Sequence, residues 1–276
     1  MTTPITAVGG ALMRRAKIYL VASIVAFGYA APLHAADLPT KTPLATPSVY
    51  NWTGWYLGLN AGGNWGSSHS TTNATTSDVL PYLDMCAPGC IRNLAAIGDQ
   101  RPNTSGFTGG IHGGYNWQSG SIVLGLEADF EYFRSAGSTV VTGPITPFVN
   151  ATVTSSVSTD WLFTARPRLG FAAGNWLFYG TGGIAVTRIK GSWSYSDTNS
   201  ALRATSTSAG ATKAGWVIGG GFESALPGNW LLGVEYLYVS FGAISTSVNI
   251  TGTTDVLTHS ANLQSNIVRA RVSRKF

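Results

Sequence analysis

The sequence predicts an all-β protein: an eight-stranded antiparallel up-and-down transmembrane β-barrel with short periplasmic turns and long extracellular loops. Three observations predict it. Only 11% of the 276 residues are charged, while 34 are Gly and 9 Trp, 11 Tyr and 11 Phe are present. That composition excludes a disordered chain, a coiled coil and a helical repeat. From Thr53 onward, segments that alternate apolar residues with polar ones or Gly recur eight times. The connections between them alternate as well, very short and then long, the layout expected of a barrel in an outer membrane. Beyond residue 40 no apolar run reaches the roughly eighteen residues that a membrane-crossing helix needs.

The opening residues read as a secretory signal. Arg14, Arg15 and Lys17 form a basic start, 18–33 form a short apolar run, and the small residues that follow suit cleavage between Ala35 and Ala36. A membrane anchor is the alternative, but no stop-transfer charges follow the run. Met13, directly before Arg14, reads as the initiator of this leader, which makes 1–12 a mis-called start. Loss of 1–35 removes three cations and no acids, leaving 14 cations against 12 anions. The basic balance therefore belongs partly to the leader and gives no ground for a nucleic-acid partner. Residues 36–51, with Pro39, Pro43 and Pro47, form a Pro/Thr-rich lead-in, and 52–276 form the barrel.

The predicted strands are 53–65, 106–118, 121–133, 157–172, 176–190, 212–225, 230–241 and 262–276. Three short connections, 118–120, 173–175 and 226–229, hold tight-turn residues. Four long ones, about 66–105, 134–156, 191–211 and 242–261, are rich in Ser, Thr, Asn and Gly. Side chains on a strand alternate between the faces of a sheet. In 121–133 the face with Ile122, Leu124, Leu126, Phe130 and Tyr132 opposes Glu127, Asp129 and Glu131. In 157–172 Trp161, Phe163, Leu169 and Phe171 oppose Arg166 and Arg168. In 230–241 Trp230, Leu232, Val234 and Tyr236 oppose Glu235, and at the end Val268 and Val272 oppose Arg269 and Arg271. Eight strands enclose room for side chains only, too little for large aromatic groups from every strand. The apolar faces therefore point outward into lipid and the charges inward. The aromatic residues fall in two belts: Trp55, Trp117, Trp176, Trp230 and Phe276 at the short-turn ends, and Trp65, Tyr132, Trp161, Trp216 and Tyr238 toward the loops, as at two membrane–water interfaces. The strand at 176–190 is ambiguous in phase because of Gly180, Gly182 and Gly183.

Cys86 and Cys90 are the only cysteines. In an oxidising compartment they are expected to form a local disulfide. They lack the further ligands of a zinc site and the spacing of a redox pair.

Three stretches carry a family resemblance. Residues 51–63 (Asn-Trp-Thr-Gly-Trp-Tyr-Leu-Gly-Leu-Asn-Ala-Gly-Gly) resemble the opening strand of the small Gram-negative outer-membrane immunogenic, porin-like barrels. Ala36-Asp37-Leu38-Pro39 resembles their mature start. Residues 266–276 resemble their closing strand, with Phe276 at the position that the barrel-assembly machinery reads. The resemblance covers essentially the whole mature chain. It implies an eight-stranded barrel similar to the OmpA-type transmembrane domain, located in the cell outer membrane with lipid and the assembly machinery as partners. It also raises haem or host-surface contact through the long loops. The long first loop with its two cysteines departs from that pattern, so loop-borne binding roles do not carry over.

Inward-facing candidates are His112, Glu127, Asp129, Glu131, Arg166, Arg168, Lys213, Glu223, Glu235, Arg269 and Arg271, five acids and five bases beside one His. Strand counting puts His112, Glu127 and Arg166 at one height, and Arg271 level with Glu235. Buried charges persist only when paired, so an ion-pair plug is expected, with a narrow solute channel as the alternative. No catalytic residue, metal ligand or cofactor site is expected. There is no nucleophile elbow, and the Gly runs 109–114 and 219–221 lie within strands, where they ease curvature and close approach rather than cradle phosphate. An outer-membrane enzyme would have to draw on rim residues such as His69 and His259, and a soluble barrel would need the faces inverted. The expected function is therefore a monomeric, structural or surface-interacting outer-membrane barrel.

Overall fold

In the computed structural model, residues 50–76, 83, 88–199 and 203–276 are described. The leader, the cleavage site at Ala35 and Ala36, most of the lead-in, and Cys86 lie outside them. The strands are β1 (Gly54–Ser67), β2 (Ser70–Thr75), β3 (Asn103–Ser119), β4 (Ile122–Phe133), β5 (Ala136–Thr146), β6 (Val149–Ala173), β7 (Trp176–Asp197), β8 (Thr205–Leu226), β9 (Trp230–Asn249) and β10 (Val256–Lys275). Helix α1 (Gly89–Gly98) lies between β2 and β3.

Pairing is antiparallel throughout, and the sheet closes on itself. β1 bonds to β3 on one side and to β10 on the other, and the path runs β10–β9–β8–β7–β6–β4–β3. Eight strands thus form the ring, with β2 and β5 added at the loop end, where β2 pairs with β10 and β5 with β6. The short turns fall where the sequence places them. Gly120, Gly174 and Gly228 take positive φ there, followed by Asn229 at φ 61° in the last, the conformations in which a side chain is costly.

The long connections differ from expectation. Most of 134–156, 191–211 and 242–261 is strand: β6 runs 25 residues and β7 and β8 run 22 each. The stretches are polar, but their Ser/Thr/Val alternation suits a pleated wall whose outer face meets water. On β6 above Trp161, the buried residues are Ala151, Val153, Ser155, Val157 and Thr159. The wall continues about 30 Å past the loop-side aromatic belt, at 3.3 Å per residue and a tilt of about 40°. It is not closed there. β8 and β9 part above Gly215–Phe241, leaving a seam between the β5–β6–β7–β8 wall and the β9–β10–β2 wall.

The outer face follows the predicted alternation. Leu124, Phe130, Leu169, Val234 and Val272 are exposed, and so are the belt residues Trp55, Trp65, Trp117, Trp176, Trp216 and Trp230. Trp55 and Trp65 are ten residues apart on β1, about 25 Å in height after tilt, the span of a barrel's apolar band. β7 keeps its phase through the glycines, with Leu177, Tyr179, Thr181 and Ala185 inside. Among the described residues no helix is long and apolar enough to cross a membrane.

Candidate functional site

The interior is stacked in tiers. At the short-turn end, Trp52, Tyr56, Val123, Leu177, Tyr179 and Leu231 form an apolar floor, with Tyr50 against it. Above it lie the charges. Above them, Phe133, Leu162, Ile189, Val217, Leu237, Phe241, Leu263 and Ile267 fill the lumen. At the loop end, Cys90, Leu94 and Ile97 of α1 pack with Leu83, Ile145, Val153, Tyr195 and Leu257. The spacing i, i+4, i+7 turns one face of this short helix down onto the wall.

The charged tier joins five carboxylates to four guanidiniums, all buried. Arg166 donates to Glu127 at 2.6 Å, to Asp129 at 2.8 Å and to Glu235 at 3.3 Å. Arg168 donates to Glu223 at 3.0 Å and to Glu127 at 3.2 Å. Arg269 donates to Glu131 at 2.9 Å, to Glu235 through Nε at 2.8 Å, and to Asp129. Arg271 donates to Glu235 at 2.8 Å and to Glu127. Each guanidinium spans carboxylates from different strands, and the planar fork makes that geometry possible.

Neutral groups complete the tier. The Tyr56 hydroxyl donates to Glu127 at 2.8 Å and that of Tyr179 to Glu235 at 3.0 Å. Thr108 donates to Glu131 and Thr164 to Asp129. Arg168 lies 4.0 Å from the centre of the Tyr179 ring, a cation–π contact. Room for the two tyrosines comes from glycines of the neighbouring strands. A Cβ on Gly114 would stand 2.5 Å from the Tyr56 hydroxyl, and one on Gly221 would stand 2.8 Å from that of Tyr179.

Ten of the eleven inward candidates lie in or beside this tier, and Lys213 does not. It has the inward phase but is half-buried, level with Thr187 beside Ala209 and Ala211 of the upper apolar tier, and makes no ion pair among the described residues. It lies just above Gly215–Phe241, where the ladder between β8 and β9 ends. The tier therefore holds five acids against four bases, rather than five and five. Two heights also need correcting. His112 stands opposite Asp129, not Glu127, and bonds to the Ser273 hydroxyl at 2.7 Å. Arg269, not Arg271, is the cross-strand neighbour of Glu235. Tyr56 and Tyr179 escaped sequence reasoning. Tyr56 shares the inward phase of Gly58 and Asn60, a signal that was available, whereas Tyr179 was hidden by the glycines that blur β7. Cys90 carries no free thiol.

Among the described residues, the rim histidines stand apart from one another. His69 pairs with Asp99 at 2.8 Å in solvent, whereas His259 is buried, stacked on Trp193 and bonded to Thr72. Glu127, Asp129 and Glu235 bring oxygens close enough together for a cation, but the guanidiniums already occupy that space.

Residues 23–276 match the sequence profile of the family described as the outer membrane protein beta-barrel domain. The chain belongs to this family of outer-membrane β-barrels. It is 35% identical over 234 residues to the 31 kDa outer-membrane immunogenic protein of Brucella melitensis, covering 82% of this chain and 88% of that one. It is 30% identical over 149 residues to the 22 kDa outer membrane protein of Rhizobium leguminosarum, covering 54% and 59%. Among solved structures, the outer membrane protein OprG of Pseudomonas aeruginosa aligns with a TM-score of 0.47 at 12% identity, covering 81% of this chain and 97% of that one. The barrel is thus an outer-membrane protein, and its two aromatic belts mark the faces of that membrane.

Proposed function

We propose that this outer-membrane barrel is a non-conducting, non-enzymatic anchor that holds a rigid β-wall at the cell surface. The observation that carries the reading is the filled lumen. A solute would have to pass an apolar floor, a cross-linked ionic tier, a second apolar tier and the α1 cover. Eight strands leave no spare cross-section for a path around them. The ionic tier acts as the plug because each guanidinium is held by at least two carboxylates, so opening it would strand charges in a dry interior. On this reading the partners are membrane lipid along the outer face and, during biogenesis, the assembly machinery that reads Phe276. The closed ring leaves no strand edge for a second copy within the bilayer, which supports a monomer.

The test is single-channel recording of the refolded chain in planar bilayers. Membranes that stay silent while the protein shows the heat-dependent gel mobility of a folded barrel fit the proposal. Regular conductance steps from the folded form would give the narrow solute channel instead.

A further inference from the structure

The outward face of β7 carries the feature that the plug reading does not use. Arg188 and Lys190 project from it side by side, both exposed. They stand just above the loop-side aromatic belt. The irregularity between Thr159 and Leu162 places Trp161 and Asp160 next to Arg188, and Lys190 is level with Ser158 and Gly210. Arg188 has no ion pair among the described residues, and Lys190 has one, to Asp160 at 2.5 Å. Above their belt residues, the outward positions of β8, β9 and β10 carry no charge at all. With exposed Arg101 just before β3 and exposed Arg134 just after β4, the outward cations lie on the β3–β4–β6–β7 half of the barrel, and Arg188 and Lys190 are the pair that stands together at the depth where lipid headgroups lie.

The surface around them is concave. Ser156, Ser158, Ser192 and Ser208 line a groove of about 620 Å³ with the two cations. Gly210 leaves its floor open, since the nearest atoms to a Cβ there would be the Ile189 carbonyl oxygen and Lys190 Cγ, both at 3.7 Å, and Arg188 Nε at 3.8 Å. The groove runs into a second cleft of about 330 Å³, edged by the hydroxyls of Thr154, Ser194 and Ser206. Cations at the foot and a ladder of hydroxyls above match a ligand with phosphate near the acyl boundary and sugar hydroxyls beyond it.

We propose that this groove on β6–β7–β8 binds the headgroup of a phosphorylated glycolipid in the surface leaflet, with Arg188 and Lys190 on the phosphate and the serine ladder on the sugar. The proposal needs only the membrane orientation set by the two belts, so it stands whether or not the lumen conducts. A phosphate could also come from a simple phospholipid or from solution, and the experiment separates these sources.

The full refolded chain in detergent is titrated with diphosphorylated lipid A, with its dephosphorylated form and with phosphatidic acid, and complexes are counted by native mass spectrometry. Wild type is expected to retain the phosphorylated glycolipid above the other two. Combining R188Q with K190Q should weaken that retention about tenfold or more, given the attraction of each basic side chain to an anionic surface. R274Q, at the opposite membrane face, should leave it unchanged, and inorganic phosphate should not displace the lipid. Heat-dependent gel mobility verifies that each variant folds. Undiminished retention by the folded double variant overturns the proposal. So does equal retention of the dephosphorylated glycolipid or of phosphatidic acid, or displacement by inorganic phosphate.

Discussion

Arg269 shows how tightly a residue of the ionic tier is committed. It reaches Asp129, Glu131 and Glu235 at once and is fully buried. Arg269→Leu would leave those carboxylates sharing fewer cations in a space without water. Removal of one member of a buried ion pair costs about 3–5 kcal/mol, and that is the loss expected in urea unfolding of the micelle-bound chain. A loss below about 1 kcal/mol would show that the tier is more hydrated than its geometry implies. Steric commitment is equally strict at Gly114 and Gly221. Gly221→Ala places a methyl group 2.5 Å from the Val234 carbonyl oxygen and 2.8 Å from the Tyr179 hydroxyl; the first is backbone, and the second belongs to a ring that also bonds Glu235 and Arg271, so neither has slack to yield. Overpacking of this kind costs about 1–3 kcal/mol, and the same measurement reads it. The acids and arginines of the tier were legible in the sequence because a charge opposite a run of lipid-facing residues has one place to go. Their individual partners were not, since partner choice depends on strand stagger, and a slip of two residues exchanges Arg269 for Arg271 opposite Glu235.

At the scale of the element, a single strand lies in two solvents. On β8, Phe222 faces the lipid band and Ser206 the water above it, both outward and both exposed. Phe222→Arg should cost about 2–4 kcal/mol at mid-bilayer depth, while Ser206→Arg should stay within about 0.5 kcal/mol, as surface changes usually do. Equal costs would mean that the wall above the belt is not in water. This change of solvent explains why the membrane part of each strand was readable and its continuation was not. Below the belt, alternation sets large apolar groups against charge; above it, Ser and Thr lie on both faces and give the composition of a loop. α1 was missed for a related reason: it is one short helix whose buried Cys90, Leu94 and Ile97 are the whole signal. The β2–β10 wall also carries a pH dependence. Burial lowers the pKa of His259 from 6.5 to about 4. Above pH 6.5 folded and unfolded forms are both neutral there, so nothing is lost. Between 6.5 and about 4 the unfolded chain takes up a proton that the folded one refuses, and stability falls as pH falls, by at most about 3 kcal/mol. Urea midpoints across that window should therefore drop more steeply for wild type than for His259→Gln, and parallel slopes would remove His259 as a cause.

For the whole molecule, the order of the tiers matters more than any one of them. Strands β9 and β6 repeat the same succession along their inner faces. On β9 it is Leu231, then Glu235, then Leu237, Val239 and Phe241; on β6 it is Ala172, then Arg168 and Arg166, then Leu162 and Val157. Apolar tiers on both sides keep water from the ions, which strengthens each pair and makes each unpaired charge more costly. The ions in turn cross-link β4, β6, β8, β9 and β10 through the centre of the ring. A seal built in series fails only when all of its barriers fail. Shaving the upper apolar tier by Leu237→Ala, Phe241→Ala and Leu263→Ala should therefore leave the bilayer silent, because the ionic tier still fills the section below. Replacing Arg269 and Arg271 by Ser should also leave it silent, because the apolar tiers above and below still block the path. The two sets combined, in a chain that still shows heat-dependent gel mobility, should also stay silent while the apolar floor and the α1 cover remain in place, and conductance steps from that chain would confine the seal to the two tiers removed. Conduction by the folded first set alone would locate the whole seal in the apolar tier and reduce the ion pairs to a scaffold.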